Sequence, residues 1–212
     1  MRSFFQSSRL FAMLAVFLAV FGTSAASRAE PATIVAFGDS LTAGYMLPAG
    51  EGFAPQLADA LKARGHDVTV IDAGVSGDTA SGGLARLDWS VGEGVDLVIV
   101  ELGANDALRG IDPAETKKAL TGIVQRLKER GIKVLLAGMQ VPPNMGPDYE
   151  EAFNPIYGEI AEAEGVALYP FFLDGVAADP SLNLADGMHP NPKGVAIIVE
   201  RIVPAVEKVM GW

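Results

Sequence analysis

The sequence contains no cysteine. That excludes disulfides, thiolate catalysis and zinc–thiolate sites, so the fold must stand on its core alone, and an oxidising compartment is harmless to it. Histidine is scarce as well. His66 and His189 are the only two, set in separate loops, which is a poor ligand set for a metal. Positive charge is in short supply, with 16 Lys and Arg against 26 Asp and Glu and a formal charge of −10. An acidic chain is a poor partner for nucleic acid or anionic lipid, and neither is expected here. There is no internal repeat, linker or second domain, and the length suits one α/β domain. Half of the residues are hydrophobic, enough for one buried core and too many for a disordered chain.

An apolar run long enough to span a bilayer, about 20 residues, is also missing. The nearest approach is the run of 13 at 10–22, preceded by Arg2 and Arg9 and followed by Ser24, Ala25, Ala26, Ser27 and Ala29. A basic start, a short apolar stretch and small residues make the layout of a secretory signal peptide, with cleavage expected after Ala26 or Ala29. The expected organisation is therefore a signal peptide at 1–29 and one domain at 30–212. That domain would be exported to the periplasm or secreted, with no stable membrane insertion after cleavage. Loss of Arg2, Arg9 and Arg28 with the leader takes the formal charge from −10 to −13. A monomer is the default expectation.

What is present is an alternation of two segment types. Apolar, β-branched runs at 33–37, 68–72, 95–101 and 132–139, with a weaker one at 166–169, read as strands buried on both faces. Helical spacing appears between and after them. Phe53, Leu57, Ala60 and Leu61 precede Gly65. Asp112 and Pro113 open a helix with the apolar face Leu120, Ile123, Val124 and Leu127, closed by Gly131. Further helices are expected at 149–165 and 193–210. This alternation predicts an α/β fold, a mainly parallel five-stranded sheet covered by helices on both sides. Ligands of such sheets bind beyond the carboxyl ends of the strands.

Chemistry is therefore sought at the strand exits. His66 lies in a helix-to-strand turn that enters the sheet at a strand's amino end, and it reads as a solvated turn residue. His189 sits in a loop before the last helix, and it is the only candidate for a general base. Asp186, three residues earlier, is spaced to hold one imidazole nitrogen and stabilise the imidazolium. Ser40 follows the first strand directly and is the candidate nucleophile. Ser76, after the second strand, is its competitor. The G-x-S-x-G elbow of ordinary α/β-hydrolases is missing. Acyl transfer also needs donors for a developing oxyanion. Gly77 offers an unobstructed N–H, Asn105 a carboxamide, and Ser40 its own N–H.

These residues fall into blocks with a known order. Phe37-Gly38-Asp39-Ser40-Leu41, then Gly77, then Gly103-Ala104-Asn105-Asp106, then Asp186-Gly187-Met188-His189-Pro190 resemble the four blocks of the GDSL/SGNH hydrolases. Further stretches, such as Ser76-Gly77-Asp78-Thr79 and Ala107-Leu108-Arg109-Gly110, are similar to the family's periplasmic thioesterase, lysophospholipase and arylesterase subgroup. The resemblance implies a three-layer α/β/α sandwich of flavodoxin-like type. It implies Ser40, Asp186 and His189 as catalytic residues, and Ser40, Gly77 and Asn105 as the oxyanion hole. The expected reaction is hydrolysis of carboxylic esters and thioesters through an acyl-enzyme, without metal or organic cofactor. Leu108, Val141, Pro142, Met145 and Met188 are candidates to line an apolar acyl pocket, whereas Met139 reads as core. Arg109 could meet an anionic substrate group or a surface carboxylate. A carbohydrate acetylesterase of the same mechanism and a non-catalytic acyl or lipid carrier are the alternatives.

Overall fold

The computed structural model describes residues 30–212. The expected signal peptide lies outside the described residues. Strand β1 (Ala32–Gly38) enters the core first, and its residues from Ile34 onward are buried. A one-turn helix α1 (Ser40–Ala43) and helix α2 (Phe53–Ala63) lead to β2 (Val68–Gly74). Helix α3 (Ala80–Ser90) leads to β3 (Leu97–Glu101), and the short α4 (Ala104–Leu108) to α5 (Pro113–Glu129). After β4 (Lys133–Ala137) come a 3-10 turn (Pro143–Met145), α6 (Pro147–Phe153) and α7 (Ile156–Glu164). Strand β5 (Ala167–Tyr169) and the long α8 (Pro192–Met210) close the chain.

The sheet order is β2-β1-β3-β4-β5 with every pairing parallel. Helices α3, α5 and α7 pack together on one face, and α2 and α8 on the other. This is the expected three-layer sandwich. The order reverses between β1 and β3, the switch point at which doubly wound sheets place their ligands. Register makes that point exact in chemical terms. Gly38 is opposite Gly74 on one side and Glu101 on the other, and Glu101 is opposite Ala137. The strand ends thus form one row, and the segments carrying Ser40, Gly77 and Asn105 leave from adjacent positions on it.

Three expectations need correction. Strand β2 is not buried on both faces. It is one of the two edge strands, and Ile71 is 42% exposed; β5, the other edge, is only partly buried along its length. The helix expected at 149–165 is two helices, broken at Asn154 and Pro155, because proline lacks the N–H that would continue the first and sets up the start of the second. Helix α3 was not anticipated. It has two glycines side by side, Gly82 and Gly83, and turns a charged residue, Arg86, inward, so an amphipathic pattern is faint.

The central strands carry the stability. Ile99 is 1% exposed on β3, between β1 and β4. Ile99→Ala is expected to cost about 2–5 kcal/mol, since the close-packed layers on both faces cannot collapse into the void. Urea unfolding at neutral pH measures it; a cost under about 1 kcal/mol would contradict this picture of the core.

Candidate active site

Ser40 begins α1, at the turn out of β1. Asp39 is its N-cap, and the carboxylate accepts the Leu41 N–H at 3.0 Å. The last segment reaches the same edge from the far end of the chain. Asp186 Oδ1 accepts the N–H groups of Met188 (2.9 Å) and His189 (3.0 Å), folding 186–189 into a turn. Asp186 Oδ2 lies 2.7 Å from His189 Nδ1, and His189 Nε2 lies 2.9 Å from Ser40 Oγ. A carboxylate only accepts, so Nδ1 carries the ring proton and Nε2 is left to accept from the serine hydroxyl. The Tyr45 ring lies over the imidazole, with centroids 4.6 Å apart. Ser76 faces the same cleft but makes no hydrogen bond to His189.

Gly77 and Asn105 line this cleft too. Gly77 has φ +83°, a conformation costly for any residue with a Cβ. Asn105 is on α4, which starts from Gly103 at φ +115°. A Cβ at 103 would overlap the Tyr157 hydroxyl, which donates to the Leu102 carbonyl at 2.8 Å. One Asn105 Nδ2–H is used at 2.9 Å on Asp39 Oδ2, which fixes the amide and aims its second N–H elsewhere. Asp106 anchors the neighbouring turns, accepting from Ala80 N (2.9 Å) and Thr116 Oγ1 (3.0 Å).

Two hydrogen bonds from the backbone hold the Asp186 carboxyl down at about 2, and the imidazole adds to the effect. Asp186 is therefore an anion at neutral pH, where it faces the imidazole. The opposite holds beneath Ser40. Glu101 is fully buried at the end of β3, where Oε2 accepts from Thr42 Oγ1 at 2.8 Å and Oε1 has no partner among the described residues. Burial pushes its carboxyl well up, and the neighbouring Asp39 adds to this. Asp39 is raised as well, chiefly by burial, although Leu41 N and Asn105 oppose the shift.

The expected site residues are brought together with two exceptions. Leu108, Val141, Pro142 and Met188 line the cleft of about 570 Å³ beside Ser40. Met145 does not; it packs against the core. Arg109 is also outside the lining and donates from Nη2 to the Gly77 carbonyl at 2.7 Å. Met139 is core, 4% exposed, at the cleft floor. His66 is no solvated turn residue: it bonds Glu207 at 2.9 Å and stacks on Trp212 at 4.2 Å, because α8 packs over that turn. Sequence reasoning gave Asp39, Glu101, Tyr45 and Arg86 no role. Only Asp39, an acid directly before the nucleophile candidate, carried a signal.

Residues 36–197 match the GDSL-like Lipase/Acylhydrolase family. The chain is 40% identical over 184 residues to Esterase TesA of Pseudomonas aeruginosa, covering 86% of this chain and 92% of that protein. It is 41% identical over 189 residues to an arylesterase of Vibrio mimicus, covering 89% and 94%. A crystal structure of TesA superposes with a TM-score of 0.80 at 41% identity, covering 84% of this chain and 99% of that one.

The buried acids make stability depend on pH with a definite sign. Folding lifts Glu101 above its ordinary 4.5, so the native state keeps a proton that the unfolded chain has lost. Stability then falls as pH rises from about 4.5 toward the folded value. Glu101→Gln, a neutral isostere, is expected to flatten the fall in urea midpoint as pH rises above about 4.5. Equal slopes for the two proteins would mean that Glu101 ionises alike in both states.

Proposed function

The chain belongs to the GDSL-like lipase/acylhydrolase family and is an ester hydrolase, and from that premise we propose that Ser40 is its nucleophile, His189 its general base and Asp186 the fixed anion behind the base. The observation that carries this reading is the continuous chain Asp186 Oδ2–His189–Ser40 Oγ, at 2.7 and 2.9 Å. As Ser40 Oγ attacks an acyl carbonyl, Nε2 takes its proton and Asp186 stabilises the imidazolium. The carbonyl oxygen becomes an oxyanion, received by the N–H groups of Ser40 and Gly77 and the free Nδ2–H of Asn105. Nε2 then returns its proton to the departing alkoxide or thiolate, leaving an acyl-Ser40 ester. Water, deprotonated by the same nitrogen, attacks that ester and releases the carboxylic acid and Ser40.

The substrate reading follows from the cleft. Its wall beside the nucleophile is Leu108, Val141, Pro142 and Met188, apolar and partly built from a side chain that adapts its shape. It suits a medium acyl or aryl group. We assign carboxylic esters first, with thioesters and lysophospholipids as further acyl donors. Residues 1–29 are read as a signal peptide, so the working substrate would be one met outside the cytoplasm. The domain at 30–212 is read as acting alone, as a monomer, without metal.

Ser40→Ala is expected to lower kcat on a p-nitrophenyl ester by about 10³-fold or more and to abolish labelling by a fluorophosphonate. Asp186→Asn is expected to cost about 10²–10⁴-fold in kcat with Ser40 still labelled slowly. Retention of wild-type turnover by Ser40→Ala would remove the assignment. Across a p-nitrophenyl ester series, KM is expected to fall with each added methylene until the cleft is full, at about 0.8 kcal/mol per CH₂ at most.

A further inference from the structure

Arg86 is a charged side chain on α3 that is 7% exposed and touches no reacting atom. Its guanidinium makes four bonds. Nε donates to Asp78 Oδ2 at 2.6 Å, Nη1 to the Ala73 carbonyl at 2.8 Å and Ser90 Oγ at 3.2 Å, and Nη2 to the Gly38 carbonyl at 2.8 Å. The plane also lies over the Phe37 ring, 4.1 Å from its centroid. Two of these acceptors are the ends of adjacent strands. Gly38 ends β1, two residues before Ser40, and Ala73 lies at the end of β2, four residues before Gly77. The third, Asp78, is the residue directly after Gly77. One rigid, planar fork therefore spans the Ser40 turn, the second strand and the Gly77 loop.

The neighbourhood is built around that fork. A Cβ at position 82 would overlap Asp78 Oδ1, so glycine in the first turn of α3 is what lets the carboxylate sit against the helix. The helix is itself tied to the third donor. Ala80 N–H bonds the Asp106 carboxylate at 2.9 Å, and Asp106 is next to Asn105. Gly77 needs such support. It lies in an exposed loop at φ +83°, and among the described residues its own carbonyl is held by the exposed Arg109. An oxyanion donor misplaced by a fraction of an ångström loses most of its value, because the site must be organised before charge develops.

We propose that Arg86 is a positioning residue for catalysis: by bonding Gly38, Ala73 and Asp78 at once, it sets the Gly77 N–H at the distance from Ser40 that the oxyanion requires. This rests on the reading of Gly77 as an oxyanion donor. A side chain with only a structural role would change the melting temperature and the amount of active enzyme. A positioning role changes kcat per folded active site, leaves KM alone, and acts through Gly77.

The test is a double-mutant cycle on the full-length enzyme, with active sites counted by fluorophosphonate titration. Arg86→Met is expected to lower kcat on p-nitrophenyl butyrate by about 10²-fold with KM within about twofold, the cost of losing one donor. Arg86→Lys is expected to recover about tenfold of this, since an ammonium reaches some of the same acceptors as a point charge without the fork. In a Gly77→Ala background, where the strained backbone has already moved the donor, Arg86→Met should cost less than about threefold. In an Asn105→Ala background its cost should be undiminished. Should Arg86→Met fail to fold, Asp78→Asn keeps Arg86 and the shape of the loop, and is expected to lower kcat about tenfold with unchanged KM. Wild-type kcat in the soluble Arg86 or Asp78 variant, a loss confined to KM, or an equal loss in the Gly77→Ala background would each overturn the proposal. Ser40→Ala run alongside separates the two readings. If that variant stays active, the catalytic assignment fails. If it is dead while the cycle is additive, only the role of Arg86 fails.

Discussion

The bond of 2.9 Å between His189 Nε2 and Ser40 Oγ joins residues 149 positions apart. No local propensity makes it. Ser40 is delivered by the first strand and His189 by the loop before the last helix, so the contact exists only once the whole sheet is assembled. Strand register is what transmits that requirement. Because Gly38, Gly74 and Glu101 end in one row, Ser40, Gly77 and Asn105 share one edge without any long excursion of the chain. His189 is then held from behind, by an Asp186 that three groups from a single turn keep ionised and aimed.

That edge carries an electrostatic burden. Asp39 and Glu101 are both enclosed, and both carboxyls are pushed up by loss of water. They are not equivalent. Asp39 has an N–H donor on each oxygen, from Leu41 and from Asn105, whereas Glu101 has one oxygen with no partner among the described residues. A single proton shared by such a pair rests more stably on Glu101, which leaves Asp39 the anion that orients the Asn105 amide. The acid of the Gly-Asp-Ser segment thus fixes the Asn105 amide at the same edge at which Arg86 ties the Gly38 and Ala73 carbonyls. Burying charge at this depth is unfavourable for stability, which is the usual accompaniment of a site organised for reaction rather than for rest.

Much of this was legible in the sequence, and the limits have physical causes. The strands were visible because burial on both faces leaves continuous apolar runs, and β1, β3 and β4 are where the sequence placed them. Edge position was not visible, since the apolar run of β2 looks the same whether or not Ile71 faces water. The proposed triad could be put together from the sequence because only two histidines exist and one is at the wrong end of a strand. Arg86 was not, because an inward-facing arginine is indistinguishable in sequence from a solvated one. Its partners, two carbonyls and the residue after Gly77, leave no trace in composition. The misreading of His66 has the same origin: its place in a turn was right, but its cover by Glu207 and Trp212 comes from the far end of the chain.

The proposed chemistry and the proposed substrate choice fall on different parts of this edge. The groups proposed to react come from the exits of β1, β2 and β3 and from the 186–189 turn. The apolar wall comes largely from the exit of β4, at Val141 and Pro142, with Leu108 and Met188 at the mouth, about half exposed. Contacts of the wall with an acyl chain are the same in the ground state and the transition state, so they act on KM and leave kcat to the fixed donors. Such a wall discriminates weakly, since one methylene in an apolar cleft changes binding by about 0.8 kcal/mol. On the proposed reading, a rigid hydrogen-bonded edge facing a soft, partly open wall would let one reacting geometry serve acyl groups of several sizes.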